Sequence, residues 1–112
     1  MRLYGLVLVG AVVAAACTDS SPPTPQQQAE DYFESDVYPV LVTNCASCHT
    51  TTGVTFMGSD AGSTYVDLTT SALVGTFSAT SPLLHPPIVA LTADQTAIFT
   101  QWFELERVAR GL

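Results

Sequence analysis

The sequence predicts a small all-α domain of about three helices joined by long loops. Three observations support this fold class: a one-sided apolar pattern before residue 45, a well-capped helical pattern near the C-terminus, and intervening segments rich in Gly, Ser, Thr and Pro. The chain has 112 residues, which fits one domain, and no internal repeat is visible. We therefore expect a single helical core.

The first predicted helix begins at Ser35 or Asp36, two residue types that cap helix N-termini, and it runs directly into Cys45. Pro39 falls within the first turn, where its missing N–H is tolerated. The apolar residues at positions 37, 40 and 41 follow the i, i+3, i+4 spacing of one helix face.

A second, short helix is predicted to begin near Thr70 and to include residues 72–74. The segment before it, residues 50–68, is rich in Gly, Ser and Thr and is predicted to be loop. Residues 78–92 contain three prolines, so helix there is limited to a turn that starts at Pro82.

The closing helix has the clearest predicted boundaries. Thr92 and Gln95 match a capping box, Asp94 lies in the first turn, where the helix dipole favours an acid, and Gly111 is a natural stop. One face carries Ile98, Trp102 and Leu105, and the last turn carries Arg107 and Arg110. Trp102 is therefore predicted to lie in the core.

Residues 1–16 are predicted to be a signal peptide. Arg2 supplies a positive charge, residues 3–13 form an apolar stretch too short to span a membrane comfortably, and small residues precede Cys17. This order resembles a bacterial lipoprotein signal, in which Cys17 is lipidated and becomes the first residue after cleavage. The alternative is an ordinary secretory signal, which would leave a thiol at the new N-terminus. Both interpretations export the protein.

Residues 17–28 are predicted to be a disordered tether, because positions 18–28 hold three prolines, three glutamines and no large apolar residue. The folded domain is then predicted to span residues 29–112, a size at which a bound cofactor would help to fill the core. With the lipid, the predicted location is a membrane surface that faces the periplasm or the cell exterior.

The charge of the chain limits its partners. Ten acidic residues, three arginines and no lysine give a net charge of −7. A nucleic-acid partner is not expected, because binding to phosphates needs clustered cations. We expect instead protein partners that present basic patches, with association that is faster at low salt. The oligomeric state is not predicted.

The Cys-x-x-Cys-His run from Cys45 to His49 is the most specific motif in the chain. It is the signature of covalent c-type haem attachment, in which the thiols of Cys45 and Cys48 bind the two vinyl groups and His49 binds the iron. We therefore predict one covalent haem c. A zinc site would need a fourth ligand, for which only His85 remains near the domain. A redox dithiol of the thioredoxin type would need a strand before the motif and a helix after it. Here the predictions are the reverse: a helix before the motif and a loop after it.

With this motif in place, residues 36–112 resemble a short monohaem cytochrome c domain of bacterial exported proteins. The stretch "DVYPVLVTNCASCHT" is similar to the opening pattern of that family, and "LTADQTAIFTQWFELE" is similar to its closing helix. The resemblance implies a cytochrome c-like domain of about three helices, with long loops around a covalently bound haem.

The sixth iron ligand departs from the family pattern. Many members carry Met-Pro-Pro before the closing Leu-Thr, whereas this chain has His85 followed by two prolines. The resemblance therefore implies iron coordination by His49 and His85, and hence a potential below that of His/Met relatives. Met57 is the alternative ligand. The eight residues from His49 to Met57 span about 26–29 Å when fully extended, which is enough to reach round the haem edge to its far face. An open sixth position is the third possibility.

Other residues receive simpler interpretations. Tyr65 is a candidate donor to a haem propionate. Tyr38, Phe56, Phe77, Ile88 and Ile98 are predicted to pack in the core or the haem pocket. Asp36, Asp60, Asp67, Glu104 and Glu106 are predicted to form a solvated acidic surface.

The expected function is that of a non-enzymatic electron carrier at the cell envelope. An open sixth position would instead favour a peroxidase or a gas sensor. A third possibility is a haem-bearing accessory subunit of a respiratory complex. The electron donor and acceptor do not follow from the sequence.

Overall fold

The computed structural model describes residues 21–50, 55–84 and 90–112, and these residues form helices and turns without a β-strand. The predicted all-α class is confirmed. The α-helices are α1 (Pro25–Tyr32), α2 (Tyr38–Asn44), α3 (Ala46–His49), α4 (Ala61–Thr69) and α5 (Ala93–Arg110). A π-helical turn, Phe33–Val37, joins α1 to α2, so three long helical segments carry the fold together with the short α3.

Helix α1 begins earlier than the sequence predicted. The Thr24 hydroxyl accepts a hydrogen bond from the backbone N–H of Gln27, and the Gln27 side chain accepts one from the backbone N–H of Thr24. Pro25 occupies the first helical position, where its fixed φ suits the helix. Residues 25–28, which we assigned to the tether, are therefore helical, and the helical domain begins four residues before the predicted boundary. Cys17 and the predicted signal peptide lie outside the described residues.

Ser35 and Asp36 do not cap a helix, so this prediction is wrong. Both lie inside the π-helical turn, where the helical segment from α1 continues into α2. Pro39 follows near the start of α2 and has no N–H to donate to the Ser35 carbonyl. The wider turn accommodates the proline ring without ending the helix.

Helix α4 lies in a segment that we predicted to be loop. The Asp60 carboxylate accepts a hydrogen bond from the backbone N–H of Ser63 at 2.7 Å, and the Ser63 hydroxyl accepts one from the backbone N–H of Asp60 at 3.3 Å. The helix ends at Thr69, and residues 70–81 form turns. The predicted short helix over residues 72–74 is therefore misplaced.

Helix α5 confirms the predicted closing helix. The Thr92 hydroxyl accepts a hydrogen bond from the backbone N–H of Gln95, and the Gln95 side chain completes the capping box. Gly111 ends the helix with a φ of 67°, a left-handed conformation that favours glycine. The predicted turn at Pro82 is also confirmed, as a 3₁₀ turn that extends to Leu84.

The core is aromatic and centres on Trp102, which is fully buried as predicted. The ring centroid of Trp102 lies 5.0 Å from that of Phe33 and 6.0 Å from that of Phe77. Phe77 has a φ of 55°, a strained value for a residue with a side chain, and its buried contacts hold it there. The core comprises Phe33, Val37, Leu41, Phe56, Tyr65, Leu68, Val74, Phe77, Leu83, Phe99, Trp102 and Phe103. Tyr38 and Ile98 pack against it and stay partly exposed.

A fully buried carboxylate, Glu106, joins three helices. Its Oε1 accepts hydrogen bonds from the Tyr65 hydroxyl at 2.5 Å and from the Trp102 indole N–H at 3.1 Å. Its Oε2 accepts one from the Arg110 guanidinium at 2.9 Å. Gln26 on α1 donates to the Tyr65 oxygen at 2.8 Å. We call these five residues the Glu106 network; it links α1 and α4 to α5.

The placement of Glu106 corrects our prediction that it belongs to a solvated acidic surface. Burial of a carboxylate is tolerated here because three donors, one of them charged, replace its water. The other four acids of that predicted surface are exposed: Asp36, Asp60, Asp67 and Glu104. Within the part of the chain that the structure describes, none of the helices is long and apolar enough to span a bilayer.

Candidate cofactor site

The cysteine motif forms a single helical turn directly after a longer helix. Cys45 follows the end of α2, and its backbone N–H donates to the Leu41 carbonyl at 2.8 Å. The His49 backbone N–H donates to the Cys45 carbonyl at 3.0 Å, which closes the turn of α3. Position 48 therefore stands one helical turn beyond Cys45, with His49 next to it. The predicted arrangement of a helix that leads into the motif is confirmed.

The side chains of Cys45 and His49 are both half-buried. Cys45 packs against the hydrophobic core. The imidazole of His49 stacks on the buried ring of Phe56, with ring centroids 4.6 Å apart and planes inclined by 30°. Phe56 therefore restricts the rotation of the His49 ring. The side chain of Cys48 is outside what the structure describes.

Met57 lies beside His49. Its backbone N–H donates to the His49 carbonyl at 3.3 Å, and its side chain packs partly buried against the core. Its role as the alternative iron ligand stays a prediction.

His85, the other candidate ligand, lies outside the described residues, as does Ile88. The residues that flank this segment are ordered against the core: Leu84 on one side and Leu91 on the other both pack against it. Leu83 is held by a hydrogen bond from its backbone N–H to the Leu73 carbonyl at 2.9 Å.

The donor set and its surroundings fit a covalently held haem. Two cysteine positions one turn apart and an adjacent histidine match the chemistry of two thioether bonds and one iron ligand. Six apolar side chains pack against the core and keep part of their surface exposed: Val40, Met57, Leu73, Leu84, Leu91 and Ile98. Among the described residues, no three His, Cys, Asp or Glu side chains lie close enough together to hold a metal ion by themselves.

Tyr65 is engaged elsewhere, which does not support its predicted role as a propionate donor. Its hydroxyl donates a hydrogen bond to Glu106, and its oxygen accepts a hydrogen bond from the side-chain amide of Gln26. Burial, followed by the hydrogen bond to the Glu106 carboxylate, raises the pKa of Tyr65 to about 12. Tyr65 is therefore neutral at physiological pH and belongs to the Glu106 network.

The sequence analysis missed the Glu106 network and the Phe56–His49 stack. Glu106 lies four residues after Trp102 and three after Phe103, on the face that those two aromatic residues bury. That spacing was a signal for its burial. The stack had no such signal, because it depends on tertiary contacts and not on the spacing of residues within one helix.

The chain was compared with known proteins at the level of family models, curated sequences and solved structures, and no match was found in any of them.

Proposed function

We propose that this protein is a c-type cytochrome that carries one electron at the cell envelope. The observation that carries the proposal is the CASCH run on one helical turn, with the His49 ring held flat against the buried Phe56. In this proposal the stack would fix the plane of the imidazole that binds the iron.

Each residue of the motif has a role in this proposal. Cys45 and Cys48 hold the haem through thioether bonds, and His49 binds the iron from one face. When bound, the haem supplies a one-electron iron couple, and the protein supplies ligands, a dry pocket and a docking surface. Of the half-buried apolar residues that border the core, Met57 lies beside His49 and would help to shield a bound haem from water.

The sixth ligand in this proposal is His85. The support for this choice is the sequence: His85 is followed by two prolines at the position where the resembled family carries Met-Pro-Pro. With two imidazole ligands the iron has no position for a substrate, so the protein transfers electrons and is not an enzyme. Two imidazoles also lower the potential relative to a His/Met pair.

The proposed location and redox partner rest on the N-terminal sequence around Cys17 and on the net charge of the chain. Lipidation of Cys17 would anchor the domain to a membrane, and the short segment before Thr24 would separate the two. The net charge of −7 suits a redox partner with a basic docking patch. A role as a subunit of a larger respiratory complex is compatible with the same features.

The proposal is tested by expression of the full-length protein together with haem-maturation machinery. We expect haem to remain bound on a denaturing gel and the mass of the chain to rise by one haem. Cys45→Ser combined with Cys48→Ser should abolish covalent haem. Cys17→Ser is the matched control: it should keep the haem and lose the membrane association. A wild-type chain that matures without haem would contradict the proposal.

The absorption spectrum of the oxidised protein distinguishes the possible sixth ligands. We expect a low-spin spectrum without the far-red sulfur-to-iron band, and we expect His85→Ala to convert it to high spin while Met57→Ala leaves it unchanged. The opposite pattern would assign Met57. A high-spin wild-type spectrum, with carbon monoxide binding to the reduced protein, would assign an open iron and favour catalysis or gas sensing.

A further inference from the structure

The Tyr65–Glu106 pair lies outside the candidate cofactor site and has the geometry of a proton-transfer pair. The phenol oxygen and the carboxylate oxygen are 2.5 Å apart, at the short end for a charge-assisted hydrogen bond. Tyr65 is 9% exposed and Glu106 is fully buried, so water does not compete for either group. A base within hydrogen-bond reach of an acidic proton is the first requirement for coupled proton movement.

The surroundings of the pair would stabilise the products of such a transfer. A neutral phenoxyl oxygen at Tyr65 would keep two donors, the Gln26 amide at 2.8 Å and the new O–H on Glu106. Protonated Glu106 would keep the Trp102 N–H at 3.1 Å on the same oxygen and Arg110 at 2.9 Å on the other. Each hydrogen bond keeps its partner. The Arg110 charge loses its ion pair when Glu106 is protonated, but the Arg110 side chain is 36% exposed and water can solvate it.

Trp102 provides an electronic neighbour for Tyr65. The two rings meet edge to face with centroids 6.4 Å apart, and both donate to the same oxygen of Glu106. Trp102 is the only tryptophan in the chain, and it contacts the rings of Phe33, Phe77 and Phe103. Tyr65 and Trp102 are both oxidisable, and their rings are close enough for an electron to pass from one to the other.

An acidic groove gives an oxidant a route to this pair. The groove has a volume of about 340 Å³, and Tyr65 lines it together with Phe33 and three carboxylates, Glu30, Asp31 and Glu34. The carboxylates are exposed and attract cations, so a positively charged one-electron oxidant would be concentrated next to Tyr65.

We infer that Tyr65 and Glu106 form a second redox site, in which one-electron oxidation of Tyr65 is coupled to transfer of its phenolic proton to Glu106. The electron leaves the Tyr65 ring, directly or through Trp102, and reduces a one-electron oxidant of the metal-complex or organic-radical class. The Tyr65 O–H bond breaks as the Glu106 O–H bond forms. Return of one electron and of the proton restores both residues.

Photo-oxidation of the full-length protein by a cationic ruthenium(III) polypyridyl complex tests this inference. Replacing Tyr4, Tyr32 and Tyr38 by Phe leaves Tyr65 as the only tyrosine. We expect this variant to give a narrow tyrosyl radical signal by electron paramagnetic resonance, distinct from any haem iron signal. A tryptophan radical alone, with no tyrosyl radical, would overturn the inference.

The role of Glu106 is tested by Glu106→Gln in the same background, because glutamine accepts a hydrogen bond but not the proton. We expect tyrosyl-radical formation to slow about a hundredfold, the lower end of what a positioned base contributes, and oxidation to remain on Trp102. An unchanged rate would overturn the inference. If circular dichroism shows that this variant does not fold, the parent protein is measured in D₂O, where slower radical formation is expected and an unchanged rate is the overturning result.

Discussion

The domain has two ends that are stabilised in different ways. At the end formed by α1, α4 and α5, side chains from three helices meet at Glu106, and each of these helices starts with a reciprocal capping box. At the motif end, α3 has four residues, and the backbone N–H groups of Cys45 and His49 donate to carbonyls four positions earlier in the chain.

The two regions differ in where their polar side chains find partners. The polar groups of the Glu106 network satisfy one another within the protein, and we call this region the support. The motif region carries a thiol and an imidazole at the border of the core, and our proposal assigns both groups to a bound cofactor.

Removing the Glu106 carboxylate should have the largest effect on the support. Glu106→Ala leaves the Tyr65 hydroxyl, the Trp102 N–H and Arg110 without their acceptor, so we expect the free energy of unfolding to fall by about 3 kcal/mol. Urea denaturation measures the change.

Glu104→Ala is the matched control for that variant. Glu104 also pairs with an arginine of α5, Arg107, but across 3.6 Å and with both side chains exposed. Its loss should change the free energy of unfolding by less than about 1 kcal/mol. Equal effects of the two alanine substitutions would show that the Glu106 network does not stabilise the support.

A substitution at Gly58 tests the junction between the two ends. A Cβ at this position would stand 2.7 Å from the Cβ of Ser63 and even closer to its hydroxyl, so Gly58→Ala must displace the residue that completes the α4 cap. We expect a loss of about 1–3 kcal/mol in the free energy of unfolding. Thermal unfolding followed by circular dichroism is a suitable measurement.

Gly62→Ala provides the comparison for Gly58→Ala. Its Cβ would have Asp60 Oδ1 as its nearest neighbour at 3.6 Å, an ordinary contact. Since Gly62 lies inside α4, alanine should stabilise the protein by up to about 1 kcal/mol. Equal destabilisation by the two substitutions would show that the close approach of Gly58 to Ser63 is not the cause of the loss.

The support should weaken in alkali before the rest of the molecule. The pKa of Tyr65 is raised from 10.0 to about 12 in the folded protein, so the folded state favours the neutral phenol. This contribution to stability is fully present below the unfolded pKa and is lost as the pH rises from about 10 to about 12. Denaturation midpoints across that window should decline, and Tyr65→Phe should flatten the decline. A decline of equal size in the Phe variant would assign it to other groups.

The smallest effect is expected in acid, at the exposed cap of α4. Hydrogen bonds from the backbone and the hydroxyl of Ser63 lower the pKa of Asp60 below its ordinary value of 3.8. The cap therefore contributes stability above that value and loses it as the pH falls through the lowered pKa. Asp60→Asn, which keeps an acceptor without a charge, should remove this pH dependence in acid denaturation. A variant with the wild-type pH dependence would contradict this assignment.

Helix boundaries were predicted most accurately where the sequence signals were local. Thr92, Gln95 and Gly111 act within one turn of their own helix end, so α5 was predicted with both boundaries correct. Thr24 and Gln27 carry the same capping signal. The prolines and glutamines around them are typical of a disordered tether, however, and α1 was not predicted.

Prediction from sequence was least accurate where tertiary contacts determine the local structure. The first turn of helix α4 contains glycine, serine and threonine, residues of weak helix preference, and the burial of Tyr65 and Leu68 against the core compensates for that weakness. The motif itself was recognised from residue order alone. The stack of Phe56 on His49 was not, because it depends on tertiary contacts.

The burial of the single tryptophan has a spectroscopic consequence. Trp102 is the only indole in the chain and is fully enclosed by aromatic rings and Glu106, so the intrinsic fluorescence of the unlabelled protein reports on one point in the core. Its emission should lie to the blue in the folded state and shift to the red on unfolding. A haem attached at the other end of the domain would quench it by energy transfer, so that loss of emission during maturation would follow cofactor attachment in real time.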